Sequence, residues 1–303
     1  MKRMLKWSGV GGVALGAAWL VLQMLPPRGV VPEPNSWRPR AGQRPLVIAH
    51  AGGQGLRPSN TLAAFTHSAG LGCDVLEMDL RLTRDGVLVV IHDETIDRTS
   101  DGQGRVIDLT VTELKQRNFG YKFKDQVGAR PYRDQPVPIP TLEEVFTLFP
   151  QMPMVVELKD RAANGAKAAA VLTELIRRFD REARTMVAAF DDATLDEFRR
   201  VSAGRVFTAS PMERTRRFVL YNRAWLDWLA PTVDQALQIP VAAAGFQLDT
   251  PHLLSAAHRR NLAVHYWTVN DPTEMKRLIA LGADGLMTDY PDRLLAVLKE
   301  IGR

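Results

Sequence analysis

The chain has 303 residues, 46% of them hydrophobic, with one cysteine and a formal charge of +5. That length and apolar content suit one large domain with a sizeable core, and barrel folds of ~250 residues often form a single unit. A lone cysteine excludes an intrachain disulfide. The charge does not argue for a nucleic-acid partner, because residues 1–44 hold seven basic side chains (Lys2, Arg3, Lys6, Arg28, Arg38, Arg40 and Arg44) against Glu33, leaving the remainder at −1.

The first segment reads as a separate module. Met1–Lys6 is basic, Trp7–Leu25 is uncharged and largely apolar, and Pro26-Pro27-Arg28 ends the run. Nineteen helical residues span about 28 Å, close to a hydrocarbon core of ~30 Å. A cleaved signal peptide is the competing reading, but its apolar region is normally ~7–15 residues followed by a small-x-small site. No such site follows Leu25. The expectation is therefore a transmembrane or signal-anchor helix over 1–28, a linker over 29–44 and a catalytic domain over 45–303. Lys2, Arg3 and Lys6 on the inner side place that domain outside the cytoplasm, or in a secreted form if the segment is removed.

From Leu46 the pattern becomes chemical. A short apolar strand, Leu46–His50, ends in a histidine, and a Gly-rich turn leads to a helix over Asn60–Leu71. Cys73 follows at the hand-over to the next strand, where a small inert packing residue is expected. The strand Val75–Arg81 carries Glu77 and Asp79 two residues apart, hence on one face. Two crowded carboxylates with no Lys or Arg between them repel unless a cation sits there, although a solvated edge pair is the plainer alternative. A hairpin then ends in His92, and two histidines at the ends of neighbouring strands suggest a proton donor and acceptor around a metal.

The interval Thr95–Pro140 is irregular. Beyond it, Met154–Glu157 reads as a strand ending in a carboxylate that needs a cation, either a metal or Lys159. Lys159 is thus an ion-pair partner or a phosphate contact. Further strands are expected at Thr185–Ala189, Val206–Ala209, Trp228–Ala230, Ala263–Trp267 and Gly285–Met287. Ala244-Gly245-Phe246 is a possible extra strand. Helices are expected at Ala166–Phe179, Ala193–Ala203, Arg214–Trp225, Pro251–Arg260, Pro272–Leu281 and Pro291–Ile301. Eight strands alternating with helices predict an α/β fold, a (β/α)8 TIM barrel with a small insertion after the second strand. Active sites in that fold gather at the C-terminal strand ends, where His50, Glu77, Asp79, Glu157, Lys159 and Trp267 all fall. Trp267 is read as a pocket wall or as core.

The stretch His50-Ala51-Gly52-Gly53, then Pro58-Ser59-Asn60-Thr61, then Glu77–Asp93 resembles the glycerophosphodiester phosphodiesterase family. Matching motifs continue through Asp97-Arg98-Thr99, Ile139–Glu144, Glu157-Leu158-Lys159, Trp267–Asn270, Leu281–Gly285 and Thr288–Pro291. The resemblance implies hydrolysis of a glycerophosphodiester to glycerol 3-phosphate and an alcohol. It also implies an insertion lying over the C-terminal face and a divalent cation, Mg2+ or Ca2+, on Glu77, Asp79 and Glu157. His50 is then the base and His92 the acid. The motifs depart from the family where HRGG becomes His50-Ala51-Gly52-Gly53 and PENT becomes Pro58-Ser59-Asn60-Thr61. An arginine and a glutamate are lost, and neither replacement is chemically equivalent. Three explanations stay open: a rebuilt site with Arg57 and Ser59 as substrate contacts, Arg57 supplying the guanidinium and Ser59, Asn60 or water filling the coordination shell; a different diester; or a degenerate binding protein. Ser59 also reads simply as a helix N-cap. Expected substrates are free glycerophosphodiesters such as glycerophosphocholine, with a lysophospholipase D activity on membrane lysolipids as the alternative. The sequence carries no signature of oligomeric state.

Overall fold

The computed structural model describes residues 30–32, 34–40 and 42–303. Eight parallel strands form its centre: β1 (Leu46–Ala49), β2 (Val75–Leu82), β4 (Met154–Leu158), β5 (Thr185–Ala189), β6 (Phe207–Thr208), β7 (Ala236–Ile239), β10 (Ala263–Tyr266) and β11 (Gly285–Thr288). They run in the order β6-β5-β4-β2-β1-β11-β10-β7, and a parallel bridge from Ala209 to Ala236 joins the two ends into a barrel. β3 (Leu88–Val90) pairs antiparallel with β2. The helices are α1 (Leu62–Leu71), α2 (Val111–Lys115), α3 (Leu142–Leu148), α4 (Ala162–Arg178), α5 (Asp192–Val201), α6 (Met212–Arg223), α7 (Pro251–His258), α8 (Pro272–Leu281) and α9 (Pro291–Glu300).

Two expected strands are corrected. Trp228–Ala230 falls on a 3-10 turn, Asp227–Leu229, and the barrel strand lies instead at Ala236–Ile239. The turn is fixed by the buried carboxylate of Asp227, which accepts from Arg259 at 2.9 Å and from Arg260 at 3.3 Å. Ala244-Gly245 is the bend of a separate hairpin, β8 (Ala242–Ala243) with β9 (Phe246–Gln247), so the barrel keeps eight strands. The insertion after β2 has its own small core of Val89, Ile91, Ile96, Val106, Leu114, Phe119 and Ile139.

The anchor expected over 1–28 lies outside the described residues; among those described, no helix is long and apolar enough to cross a membrane. In the adjoining stretch, expected as a linker, Asn35 and Trp37 are packed against the barrel. Trp37 is buried with Ile48, Val75, Val155, Met186 and Ala263, residues from the N-terminal part of the strands, and its carbonyl faces His265 Nε2 at 2.9 Å. Asn35 donates to the carbonyls of Gln235 at 2.9 Å and Asn261 at 2.8 Å. An indole closing the lower end of the barrel removes a large apolar surface from water, which is why this stretch is ordered against the fold.

Candidate active site

Strand periodicity sets the site. Side chains two apart share a face, so a strand that fills the lower barrel with one residue offers its next alternates to the upper end. β2 supplies Val75 to the lower layer and Glu77 and Asp79 above it; β4 supplies Val155, then Glu157, and leads to Lys159. β1 supplies Ile48 and leads to His50, while β11 supplies Met287 and leads to Asp289.

Register places Asp79 beside Glu157 and Glu77 beside Val155. Oxygens of Glu77, Asp79 and Glu157 all lie within 4.8 Å of one another. Glu77 and Asp79 are buried. Burial beside the charge of Asp79 pushes Glu77 up to about 8, despite the backbone N–H of Ala51 donating to Glu77 Oε2 at 2.6 Å. Burial likewise raises Glu157. Lys159 Nζ bridges two of the carboxylates, at 2.7 Å from Glu157 Oε1 and 3.1 Å from Asp79 Oδ1. Burial lowers the ammonium but those two carboxylates outweigh it, so Lys159 stays charged.

One lysine does not balance three carboxylates. The raised Glu77 is the signature of a group that must take either a proton or a cation. An all-oxygen set fits a hard divalent ion rather than a soft one. The residues present therefore fit a divalent cation held by Glu77, Asp79 and Glu157.

The two histidines stand on different sides of this cluster. His50 opens a 3-10 turn just past β1, and its Nδ1 is 2.7 Å from Asp289 Oδ1. Gln54 Nε2 and Asn270 Nδ2 donate to the same carboxylate at 2.8 and 2.7 Å. Burial lowers His50, but the Asp289 hydrogen bond and the charges of Glu77, Asp289 and Asp79 outweigh it and raise the imidazole to about 9. The turn needs its glycine: Gly52 has φ +79, and a Cβ there would meet the Phe65 ring at 2.8 Å. His92 is exposed, lies near enough to Glu157 to lower that acid electrostatically, and has Nδ1 2.8 Å from Asp93 Oδ1. Arg98 grips the other oxygen of Asp93 at 2.5 Å and holds that carboxyl down at about 2. Arg81 fixes the His92 backbone by donating from Nε to its carbonyl at 2.8 Å.

Trp267 packs against the lower barrel layer and meets Phe190 edge-on at 6.2 Å. Lys159 Nζ lies 5.6 Å from the Phe190 ring centre. A cleft of about 610 Å³ opens beside His92, Glu157 and Lys159. The N-cap expected at Ser59 belongs to Thr61, whose Oγ1 accepts from the Ala64 N–H at 3.3 Å. Ser59 is half-buried, and it is Asn60, held at φ 59, that engages the cluster by donating to Asp79 Oδ2 at 2.8 Å. Arg57 places its guanidinium on the carbonyl of Leu56 at 2.7 Å. Burial depresses His67, and the charge of Arg57 adds to that effect.

Asp289, Gln54, Asn270 and Asp93 were given no site role from sequence, and Asn60 only one, as a candidate for the metal's coordination shell. Only Asp289 gave a local signal, as the residue following an apolar strand within Thr288-Asp289-Tyr290-Pro291.

Residues 50–293 match the model of the glycerophosphoryl diester phosphodiesterase family. The chain is 31% identical over 258 residues to a glycerophosphodiester phosphodiesterase of Bacillus altitudinis, covering 84% of this chain and 98% of that protein. It is 29% identical to the lysophospholipase D GDPD1 of Rattus norvegicus, covering 84% of this chain and 86% of the relative. The fold superposes with a TM-score of 0.68 on an Oleispira antarctica phosphodiesterase solved with sn-glycerol 3-phosphate, at 24% identity over 84% of this chain and 97% of the other. The protein is a phosphoric diester hydrolase belonging to the glycerophosphoryl diester phosphodiesterase family.

Proposed function

We propose that the protein hydrolyses glycerophosphodiesters to glycerol 3-phosphate and an alcohol by histidine acid–base catalysis beside a divalent cation. The observation carrying this reading is the placement of His50 next to Glu77 and Asp79 and of His92 next to Glu157. Asp289 holds the Nδ1 proton of His50, leaving Nε2 to accept the proton of the glycerol hydroxyl adjacent to the phosphodiester. That oxygen forms the new P–O bond while the bond to the leaving alcohol breaks, and His92 gives its proton to the departing oxygen. Water then opens the cyclic phosphate with the two histidines in reversed roles, yielding glycerol 3-phosphate.

Glu77, Asp79 and Glu157 are the ligands for Mg2+ or Ca2+, whose positive charge would neutralise phosphate oxygens and offset the carboxylate field that raises His50. Lys159 contacts the phosphate from its present position over Asp79 and Glu157. It thereby takes over part of the charge lost where the family arginine is Ala51. Arg57 and Ser59, on the segment following the His50 turn, are substrate contacts at the glycerol end, with Arg57 leaving the Leu56 carbonyl to reach it. Trp267 walls the pocket.

We place the barrel outside the cytoplasm on an N-terminal anchor. Asn35 and Trp37 meet the barrel at the end opposite the site, which supports substrates arriving from solution rather than from the anchoring bilayer. Turnover by the full chain of glycerophosphocholine and other free diesters, against a lysophospholipid, tests this choice. Preference for the lysolipid would transfer the assignment to a lysophospholipase D.

A further inference from the structure

The cleft beside His92 lies where, on the function proposed above, the leaving alcohol must depart, so its lining bears on what that alcohol is. Arg81, Arg105, Arg161 and Lys159 line it together with Glu94, Asp160, Asp191 and the metal ligand Glu157. Most of these charges are already committed. Arg81 pairs with Asp160 at 3.4 Å, and Lys159 bridges Asp79 and Glu157. Asp191 caps α5, accepting from the Thr194 N–H at 2.9 Å and its hydroxyl at 2.7 Å. Arg105 has only a long surface contact to Asp108, at 3.9 Å. Arg161 and Glu94 are exposed at the cleft wall and carry no side-chain hydrogen bond or ion pair with the described residues.

The uncommitted charges are thus two guanidiniums, one contributed by the insertion and one by the β4–α4 loop, and one carboxylate. A site for a quaternary ammonium would instead be an aromatic cage, whereas among the described residues Phe190 is the only Phe, Tyr or Trp lining this cleft, with the His92 imidazole. Guanidiniums recognise carboxylate or phosphate oxygens through paired N–H donors. Resting on the proposed hydrolysis, we infer that the cleft is a subsite for a leaving alcohol bearing an anionic group, with Arg161 as a specificity-determining residue assisted by Arg105. Glu94 is placed to meet an ammonium on the same head group. A zwitterionic, amino-acid-like alcohol satisfies all three.

The decisive pair of probes is glycerophosphoserine and glycerophosphoethanolamine, which differ only by a carboxylate on the leaving alcohol. The full-length, cation-loaded chain should favour the serine diester in kcat/KM by about tenfold, the worth of one charge-assisted contact at a partly exposed site. Arg161→Ala should bring that ratio to about one, and Arg161→Lys should restore part of it. A wild-type ratio near one, or a ratio that Arg161→Ala leaves intact, overturns the inference. If neither diester turns over, the proposed hydrolysis fails, and the ratio of dissociation constants for the same two compounds decides the subsite. A serine preference lost in Arg161→Ala then sustains it, and equal affinities overturn it.

Discussion

His50 Nδ1 and Asp289 Oδ1 meet at 2.7 Å because the parallel register of β1 and β11, ending with Ala49 beside Thr288, puts the next residue of each strand side by side. The pair is therefore a product of the barrel's own hydrogen bonding, and the carboxylate is further held by Gln54 and Asn270. An imidazole so anchored presents one defined nitrogen to the pocket.

Asp289→Asn keeps the shape but removes the charge that holds the His50 tautomer. Steady-state kinetics should show kcat lowered ~10²–10⁴-fold with KM within a few-fold of wild type. A variant retaining wild-type kcat would remove Asp289 from the machinery.

Cation binding should reverse the pH dependence of stability. In chelator, Glu77 is an acid raised from 4.5 to about 8 and His50 a base raised from 6.5 to about 9. Both favour the folded state in their protonated forms. Their contribution is fully present below about pH 4.5 and is lost as pH climbs through about 8 and 9. Thermal unfolding in chelator should accordingly give a Tm that declines across that window. Saturating Mg2+ or Ca2+ should raise Tm most at its upper end, where the ligand carboxylates are free of protons. A cation effect that shrinks with rising pH would contradict the ligand set.

Much of this was legible before any coordinates. Period-two alternation in Val75–Arg81 and Met154–Lys159 is a local property, so it placed the carboxylates, and His50 and His92 were readable as strand-end residues. Trp228–Ala230 misled because a short apolar run does not distinguish a strand from a turn, and the deciding contact, Asp227 with Arg260, spans more than thirty residues of sequence. The roles of Asp289 and Asn270 were missed for the same reason: they exist only across the closed barrel. The stretch containing Trp37 reads as linker by composition, yet the open lower end of the barrel gives its indole a place to bury.

Trp37 carries that last point into a measurement. It is 2% exposed and packed beneath the lower barrel layer, far from the chemistry. Trp37→Ala should destabilise the chain by ~3–5 kcal/mol in denaturant unfolding while leaving KM near wild type. A loss below about 1 kcal/mol would show that the segment does not close the barrel.

The missing family arginine is testable by restoring it. Ala51 already has φ 46, so Ala51→Arg adds little backbone strain and returns a guanidinium beside the cluster. KM for a glycerophosphodiester should fall about tenfold. If turnover is lost instead, the pocket is organised around the smaller residue, and Arg57→Ala becomes the informative variant. Full turnover by that variant would exclude Arg57 as the compensating cation.

The central claim is metal-assisted acid–base hydrolysis by His50 and His92 over Glu77, Asp79 and Glu157. Its most direct test is glycerol 3-phosphate release from a glycerophosphodiester by the full chain, with Mg2+, Ca2+ or chelator, and with His50→Ala alongside. The account predicts cation-dependent release that chelator abolishes and that His50→Ala lowers ~10²–10⁴-fold. Release that persists undiminished in chelator or in His50→Ala would contradict it.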